Sequence, residues 1–326
     1  MLILTTPTNI RYFSGVELNS YERFAALIVC GGRRIFVAPQ LERGRVPEPA
    51  FFYADGEDPA VALRRAVDLC GEDEILEIDG GTQLRHWEVV RRALGEVPYK
   101  LADETVAQMR AAKSEEEIGK IKRAVEIIKE VMEGLKAELS PGVTERRIAA
   151  MAYAMLMERG AEPGPILVQF GENTALPHQG PTDRRLKEGD VVIFDFTAAY
   201  DGYYGDITRT LTFRGAPPQF DAIYNAVAEA QRTAISASRA GVRAGDVDEA
   251  ARAVLRRYML DRFFVHRTGH GLGLDFHELP NVAPGENYQL REGNVFTVEP
   301  GVYLPGHFGV RIEDDVAIVG GAARVL

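Results

Sequence analysis

Two aspartates stand on either side of an Asp-Gly turn near the middle of the chain. Asp195 follows an apolar run, and Asp206 opens a second run rich in β-forming residues. The turn at Asp201-Gly202 is typical of a two-residue hairpin, because a type I′ turn needs positive φ at both central residues. In that register Asp206 lies opposite Thr197, and Asp195 becomes its diagonal neighbour on one face. Two carboxylates so placed repel each other unless a cation lies between them, although either could instead be a solvated hairpin residue.

Further candidate functional residues stand in other segments of the chain. Glycines on both sides of His270 permit close backbone approach, which suits a ligand more than a core residue. Alternation along a strand puts Arg311 and Glu313 on one face. Taken singly, each candidate also has an ordinary explanation as a strand-end acid or a satisfied loop histidine. His266 and His307 stand near these motifs and are expected to be structural. The further candidates are His178, His270, His277, Glu299, Arg311 and Glu313.

The candidate ligands taken together indicate metal-assisted hydrolysis. Four carboxylates and one imidazole suit two hard or borderline divalent ions with bridging carboxylates. Two ions about 3.5–4 Å apart can hold a shared hydroxide and polarise a carbonyl group. The glycines around His270 are not followed by Lys-Ser or Lys-Thr, which argues against a phosphate-binding loop. The proposed ligands are Asp195, Asp206, His270, Glu299 and Glu313.

The chain is predicted to form two domains, and the second must position these residues. Residues 1–108 are predicted to form a small α/β domain, and residues 109–326 are predicted to form the domain that carries all the candidate ligands. Within the first domain, apolar spacing predicts helices over residues 60–70 and 82–94. Strands are predicted at residues 2–5, 10–13, 24–30, 34–38 and 75–78.

The second domain is predicted to contain two similar halves. Ser114 followed by three glutamates is typical of a helix start, and Thr144 caps a second helix before the hairpin. After Pro217-Pro218 come two more helices near residues 220–240 and 247–261, and then more strands. This order indicates an internal pseudo-repeat, without clear sequence identity between its halves.

Composition limits the class of protein. With 326 residues, 46% hydrophobic and 26% charged, the chain is an ordinary globular one, and its net charge of −10 argues against a nucleic-acid partner or a polybasic membrane anchor. No apolar run is long enough to span a bilayer, and the N-terminus lacks the basic segment of a signal peptide. Cys30 and Cys70, the only cysteines, are expected to be separate core residues of a cytoplasmic protein.

From residue 109 onward, five segments resemble, in the same order, motifs of the pita-bread metallopeptidases: residues 175–179, 195–206, 267–278, 296–301 and 309–315. That family includes Xaa-Pro dipeptidase (prolidase), Xaa-Pro aminopeptidase, methionine aminopeptidase and the metal-free creatinase. Residues 9–15, Asn-Ile-Arg-Tyr-Phe-Ser-Gly, resemble part of a creatinase-type N-terminal domain in shortened form. Methionine aminopeptidases generally lack that domain and creatinase lacks the ligands, so the resemblance favours the proline-specific branch. It implies an α+β protein: a small creatinase-type α/β domain followed by a pita-bread domain with pseudo-twofold halves.

The resemblance also implies the metal ligands and the partners. Asp195 looks like the chelating ligand of one ion, Asp206 and Glu313 look like bridging carboxylates, and His270 and Glu299 look like the remaining ligands of the second ion. The cofactors would be two divalent ions, manganese first, with cobalt or zinc as alternatives. The substrates would be proline-containing peptides, and the assembly would be a homodimer.

Four residues would perform the remaining chemistry. His178 and His277 match the two substrate-side histidines of the family, and an imidazole N–H can stabilise an oxyanion. Glu299 could also take a proton and pass it to the leaving proline nitrogen. Arg311 would pair with the acidic cluster and hold one of the two bridging carboxylates in orientation.

One residue departs from the family pattern. Many prolidases carry an arginine shortly after the His-Glu-x-Pro segment, and this chain has Asn281 there. If that arginine binds the free carboxylate of a dipeptide, this chain uses another cation or is less strict. The leading hypothesis is hydrolysis of the Xaa-Pro bond of dipeptides, with Xaa-Pro aminopeptidase as the alternative. A catalytically inactive binding protein and a different carbon–nitrogen hydrolase on the same fold are the other hypotheses.

Overall fold

Six strands form one mixed sheet in the N-terminal unit, Met1–Arg110. The computed structural model describes residues 1–71 and 75–326 of the chain. In space the order is β4-β3-β2-β1-β5-β6, in which β2 runs antiparallel to β1 and β3 and the other neighbours run parallel. The strands are β1 (Leu2–Leu4), β2 (Ala26–Cys30), β3 (Arg33–Pro39), β4 (Ala50–Tyr53), β5 (Leu76–Ile78) and β6 (Tyr99–Leu101).

Helices cover both faces of this sheet. Alternate strand residues contribute to two separate apolar clusters, as expected when successive side chains point to opposite faces. Leu63 and Val90, from the second and third helices, join one cluster, and Ile10 of the first helix joins the other. These helices are α1 (Pro7–Ser14), α2 (Pro59–Asp68) and α3 (Leu84–Leu94), and α4 (Asp103–Ala111) follows β6.

The predicted strand over residues 10–13 is wrong, because these residues lie within α1. Pro7 opens the helix, where its fixed φ is already suited to helical geometry. Gly15 ends it with a φ of 74°, and its N–H donates to the carbonyl of Arg11 at 2.7 Å. The four residues Ile-Arg-Tyr-Phe are too few to show a decisive hydrophobic period, so the Pro and Gly at the two ends are the better signals.

The expectation of two separate cysteines is also wrong, because Cys30 and Cys70 form a disulfide. One cysteine ends β2 and the other follows α2. They are 40 residues apart in sequence, but the fold brings their Cα atoms to 5.8 Å from each other. Disulfides are typical of oxidising compartments and are rare in the cytosol of mesophiles. The cysteine argument therefore gives no support to a cytoplasmic location, which stays a prediction.

The second unit, Ala111–Leu326, repeats the order of a helix pair followed by strands. Its helices are α5 (Glu115–Lys136), α6 (Glu145–Glu158), α7 (Phe220–Ala237) and α8 (Ala244–Arg257). Its strands are β7 (Glu162–Phe170), β8 (Val191–Tyr200), β9 (Tyr203–Thr212), β10 (Gly269–Gly271), β11 (Glu278–Val282), β12 (Val295–Val298), β13 (Gly301–Leu304), β14 (Phe308–Arg311), β15 (Asp314–Val319) and β16 (Ala322–Val325).

Each helix pair has its own core. The pair α5 and α6 packs on the antiparallel sheet β7-β8-β9, and α7 and α8 pack in a second cluster with residues of β12, β14 and β15. The predicted start of α5 is confirmed: Ser114 and Glu117 form a reciprocal capping box. Among the described residues, no helix is long and apolar enough to cross a membrane.

Candidate metal centre

The hairpin of β8 and β9 carries the two aspartates on one face. Its turn residues, 201–202, have φ values of 47° and 72°, as predicted for the Asp-Gly pair. Thr197 pairs with Asp206, and Asp195 pairs with Thr208. Residues directly opposite share a face, so Asp195 and Asp206 are the diagonal neighbours that the sequence predicted.

Glu313 reaches the same face from the short connection between β14 and β15. Its backbone N–H donates to the carbonyl of Thr208 at 3.2 Å, and the hydroxyl of Thr208 donates to its Oε2 at 2.5 Å. Nη1 of Arg209 donates to the backbone carbonyl oxygen of Glu313 at 2.5 Å. These bonds from one strand of the hairpin hold a fully buried carboxylate against it. On the same strand, the N–H of Asp206 donates to Oδ2 of Asp315 at 3.0 Å.

His270 enters the site from β10, where its neighbours leave no room for side chains. A Cβ on Gly271 would overlap the carbonyl of Leu279, and one on Gly269 would overlap the carbonyl of Thr297. The Nδ1 atom of His270 lies 3.1 Å from the carbonyl oxygen of Gly271. A carbonyl oxygen can only accept, so Nδ1 carries the proton and Nε2 presents a lone pair.

The lone pair of His270 faces carboxylates. Its Nε2 atom lies 3.4 Å from Oε1 of Glu299 and 3.9 Å from Oδ2 of Asp206. Burial, followed by the neighbouring His277, lowers the pKa of His270 to about 3, so the ring is neutral at pH 7. Glu299 follows β12, and its Oε1 accepts a hydrogen bond from Thr297 at 3.1 Å. A neutral imidazole and two carboxylates therefore converge with acceptors facing one another.

These residues fit a divalent cation. Asp206, His270 and Glu313 each present a ligand atom within 4.8 Å of the others, and the buried Oδ1 of Asp206 has no hydrogen-bond partner among the described residues. Burial, and then the charge of Asp195, raises the pKa of Asp206 well above its usual range. Burial likewise raises the pKa of Glu313 far above its usual range and that of Glu299 to about 7. A bound cation would offset the free-energy cost of ionising these buried carboxylates, because it stabilises their charged form.

Arg311 pairs with the acidic cluster, but at a different carboxylate from the one expected. Its Nη2 donates to Oδ2 of Asp195, and not to either predicted bridging carboxylate. Its Nε atom donates to the hydroxyl of Thr208 at 3.2 Å, and that hydroxyl in turn donates to Glu313. Arg311 therefore acts directly on one candidate ligand and reaches a second through a threonine.

Two residues that the sequence reasoning did not place in the site hold Arg311. Nη1 of Arg311 donates to the hydroxyl of Tyr303 at 2.7 Å, and that hydroxyl lies 2.8 Å from Nε2 of His266. The other ring nitrogen, Nδ1, lies 2.7 Å from the carbonyl oxygen of Arg267 and donates to it, so Nε2 accepts from Tyr303. Burial lowers the pKa of His266 to about 3 and raises that of Tyr303 to about 12, which keeps both neutral.

One cavity of about 480 Å³ brings all the candidate residues together. His178 and His277 line it and are both exposed, whereas the five candidate ligands lie deeper. The ring of His277 lies 4.1 Å from that of His270, centroid to centroid. The lining residues are Pro165, Leu167, Pro177, His178, Asp195, Thr197, Asp206, His266, Arg267, His270, Phe276, His277, Glu299, Arg311 and Glu313.

A buried glutamate positions the loop that carries His178. Glu145, in the first turn of α6, has no exposed surface and accepts from the N–H groups of Phe170 and Thr182 at 2.7 and 2.8 Å. Asn173 donates to it as well, at 2.9 Å. These contacts fix the chain on both sides of residue 178.

Comparison with known proteins follows the same division of the chain. A family model described as Metallopeptidase family M24 matches residues 119–319, more than half of the chain, and one described as Creatinase/Prolidase N-terminal domain matches residues 1–111. The chain belongs to metallopeptidase family M24. An uncharacterized peptidase of Staphylococcus aureus (strain bovine RF122 / ET3-1) is 36% identical to this M24 chain over 332 residues, 99% of this chain and 93% of the relative.

Solved structures resemble the M24 chain over nearly all its length. A dipeptidase from Pyrococcus horikoshii OT3 is 34% identical, with a TM-score of 0.95, over 99% of this chain and 92% of the other. A recombinant prolidase from Thermococcus sibiricus is 33% identical, with a TM-score of 0.94, over 99% and 91%. The predicted α+β fold, a creatinase-type N-terminal domain followed by a pita-bread domain, is confirmed. The M24 chain is a metallopeptidase, so divalent ions are its expected cofactors.

Proposed function

We propose that this metallopeptidase is a two-metal Xaa-Pro dipeptidase that hydrolyses the bond before a C-terminal proline. The observation that carries the proposal is the convergence of Asp206, His270 and Glu313, with ligand atoms within 4.8 Å of one another, in a cavity that Asp195 and Glu299 also line. Similarity to proteins described as a dipeptidase and a prolidase supports the substrate class. Manganese is the first expected metal, with cobalt or zinc as alternatives.

The candidate ligands divide between two ions. Asp195 would hold one ion, His270 and Glu299 would hold the other, and Asp206 and Glu313 would hold both. Bound there, the ions would act as Lewis acids that lower the pKa of water and polarise the scissile carbonyl. Arg311 keeps Asp195 in orientation, with Tyr303 and His266 behind it.

Three side chains supply the proton and oxyanion chemistry. Glu299 takes the proton of the attacking water and delivers it to the nitrogen of proline as the bond breaks. This route matters because a proline nitrogen in a peptide bond carries no hydrogen and must gain one to leave. His178 and His277 are exposed to the cavity and can donate N–H groups to the oxygen that gains negative charge.

The walls of the cavity suit a small peptide with a proline ring. Pro165, Leu167, Pro177 and Phe276 are apolar, and they line the same cavity as the charged residues. A volume of about 480 Å³ is in the range of small-molecule sites. This combination favours binding of an apolar ring beside the acidic cluster.

A comparison of two substrates tests the proposal. With manganese, cobalt or zinc added, a Xaa-Pro dipeptide should be hydrolysed faster than a Xaa-Pro-Xaa tripeptide. Cleavage of the tripeptide alone would favour the aminopeptidase alternative. A protein that binds no divalent ion at neutral pH and cleaves neither peptide would favour the binding-protein alternative.

Two expectations accompany the enzymatic proposal. The first is a homodimer, which light scattering coupled to size-exclusion chromatography measures directly. The second is a cytoplasmic location, which cell fractionation measures. Neither is needed for the chemistry of the cavity.

A further inference from the structure

Arg267 is the cavity arginine that forms no direct ion pair with a carboxylate among the described residues. The other arginine in the lining, Arg311, pairs with Asp195. Within residues 1–71 and 75–326, no carboxylate lies within 4 Å of the Arg267 guanidinium. Instead, its Nη1 atom donates to the neutral amide oxygen of Asn281 at 2.5 Å. The charge of Arg267 contributes to lowering the pKa of Glu299, but no carboxylate in the described part of the chain binds the guanidinium directly, so its N–H groups can still bind an anionic ligand.

The position of this cation is fixed beside a candidate metal ligand. Asn281 pairs with His270 across β10 and β11, and directly opposite residues share a face of the ladder. The contact with Asn281 therefore holds the Arg267 guanidinium near the imidazole of His270. In agreement with this placement, the charge of Arg267 contributes to lowering the pKa values of both His270 and His277.

The backbone on both sides of Arg267 is also anchored. On one side, the N–H and hydroxyl of Thr268 donate to Oδ1 of buried Asp248 at 3.0 and 2.8 Å. On the other side, Nη2 of Arg252 donates to the carbonyl oxygen of His266 at 2.5 Å, while Nε of Arg252 bonds Asp248 at 2.7 Å. The ion pair between buried Asp248 and partly buried Arg252 thus holds the backbone of both neighbours of Arg267 in place. Such preorganisation reduces the entropy lost when an arginine binds its ligand.

We propose that Arg267 binds the C-terminal carboxylate of the substrate and thereby selects dipeptides. This inference rests on the proposed function. In a Xaa-Pro dipeptide, only the proline Cα separates the carboxylate carbon from the scissile nitrogen, so the carboxylate must lie close to the candidate metal ligands. A guanidinium matches a carboxylate in charge and in planar geometry. A tripeptide offers a neutral amide at that place and leaves the cation unpaired.

Asn281 has a specific part in this arrangement. An amide holds the guanidinium without neutralising it, whereas a carboxylate at the same position would be a permanent internal counter-ion. The chain lacks an arginine at position 281, and in this proposal Arg267 supplies the cation while Asn281 positions it.

The test compares a substrate with its uncharged amide. For the wild type, kcat/KM for Leu-Pro should exceed that for Leu-Pro-amide by at least about tenfold, the size expected for a charge-assisted hydrogen bond. Arg267→Gln should lower kcat/KM for Leu-Pro by about 10- to 100-fold, mainly through KM, and bring the ratio of the two substrates close to one. Arg267→Lys should restore part of the preference, since the charge returns without the fork geometry.

Asn281→Asp is a second variant that leaves Arg267 in place. It should also reduce the preference for Leu-Pro, because the new carboxylate neutralises the guanidinium. Arg262→Gln is the matched control, since Arg262 is exposed and does not line the cavity. All variants should keep the metal content and melting temperature of the wild type. The proposal is overturned if Arg267→Gln, with its metal content intact, lowers kcat/KM for Leu-Pro and for Leu-Pro-amide in parallel, or leaves the ratio of the two kcat/KM values unchanged.

A binding measurement separates this inference from the proposed function. By calorimetry, the wild type should bind free proline more tightly than proline amide, and Arg267→Gln should bind the two alike. If the wild type cleaves neither peptide but shows Arg267-dependent binding of proline, the dipeptidase proposal fails and the carboxylate site stands. If Leu-Pro is cleaved but proline binding and the substrate ratio are independent of Arg267, the carboxylate site fails and the dipeptidase stands.

Discussion

Nε2 of His270 lies 3.4 Å from Oε1 of Glu299, although His270 belongs to β10 and Glu299 follows β12. Hydrogen bonding of Nδ1 to the carbonyl of Gly271 leaves Nε2 as an acceptor, and a carboxylate is also an acceptor. Two buried acceptors at this distance need either a shared proton or a metal ion between them. The pH dependence of stability distinguishes these two states of the site.

Without metal, the protein should lose stability as the pH rises from 6.5 to 8. Burial raises the pKa of Glu299 from 4.5 to about 7, and those of Asp206 and Glu313 well above their usual range, so the folded state binds more protons than the unfolded state. Stability from such groups is complete below their unfolded pKa and is lost as the pH rises through the folded pKa. Burial lowers the pKa values of His266 and His270, so these residues make the protein more stable as the pH rises, but only below pH 6.5.

Melting temperatures measured after chelation and after metal loading test this expectation. The chelated protein should melt at a lower temperature at pH 8 than at pH 6.5, and the gain on adding manganese should be larger at pH 8. A melting temperature that stays constant or rises over this interval in the chelated protein would show that the carboxylates are not held protonated.

Asp206→Asn should abolish peptidase activity and lower the metal content by at least one ion per chain. An amide of the same shape keeps the fold but is a poor bridging ligand. Removing one of several repelling buried acids should also leave the metal-free variant at least as stable as metal-free wild type. Elemental analysis, turnover and thermal melting measure the three effects. Asp221→Asn, an exposed site on α7, is the control, and full activity in Asp206→Asn would refute the ligand assignment.

His178→Ala should lower kcat by about 10²- to 10³-fold while the metal content stays at the wild-type value. The side chain lines the cavity but is exposed, so its removal should not unfold the loop that Glu145 holds. His307→Ala, at an exposed turn residue outside the cavity, should have wild-type activity. If His178→Ala loses metal along with activity, His178 is a ligand and the assignment to substrate is wrong.

The double variant Cys30→Ala/Cys70→Ala should lower the free energy of unfolding of the N-terminal unit by about 2–4 kcal/mol. A cross-link over a sequence separation of 40 residues restricts the unfolded chain and should stabilise by that amount. Chemical denaturation measures the change. A reductant should lower the stability of the wild type but not that of the double variant, and equal stability of the oxidised wild type and the variant would contradict the expectation.

The parts of the site that the sequence predicted well depend on local rules. The Asp-Gly turn sets the register of the hairpin, and a period of two then puts Asp195 and Asp206 on one face. The prediction that the glycines around His270 are points of close backbone approach is confirmed. In each case the relevant geometry lies within a few residues of the motif.

The parts that were missed depend on contacts between distant segments. The bond from Arg311 to Asp195 spans 116 positions, and nothing in a strand pattern selects Asp195 over another nearby carboxylate. Tyr303 has no motif around it, and it enters the site because β13 pairs with β14, where Arg311 lies. The disulfide likewise joins ends of elements that only the folded sheet brings together.

The central claim is that two divalent ions in this cavity hydrolyse the Xaa-Pro bond, and a metal titration tests it most directly. Chelated protein should be inactive on a Xaa-Pro dipeptide, and activity should rise with added manganese until two equivalents per chain are bound. Mass spectrometry of the products should show the free amino acid and free proline. Full activity in the chelated protein, or a maximum reached at one bound ion per chain, would contradict the claim.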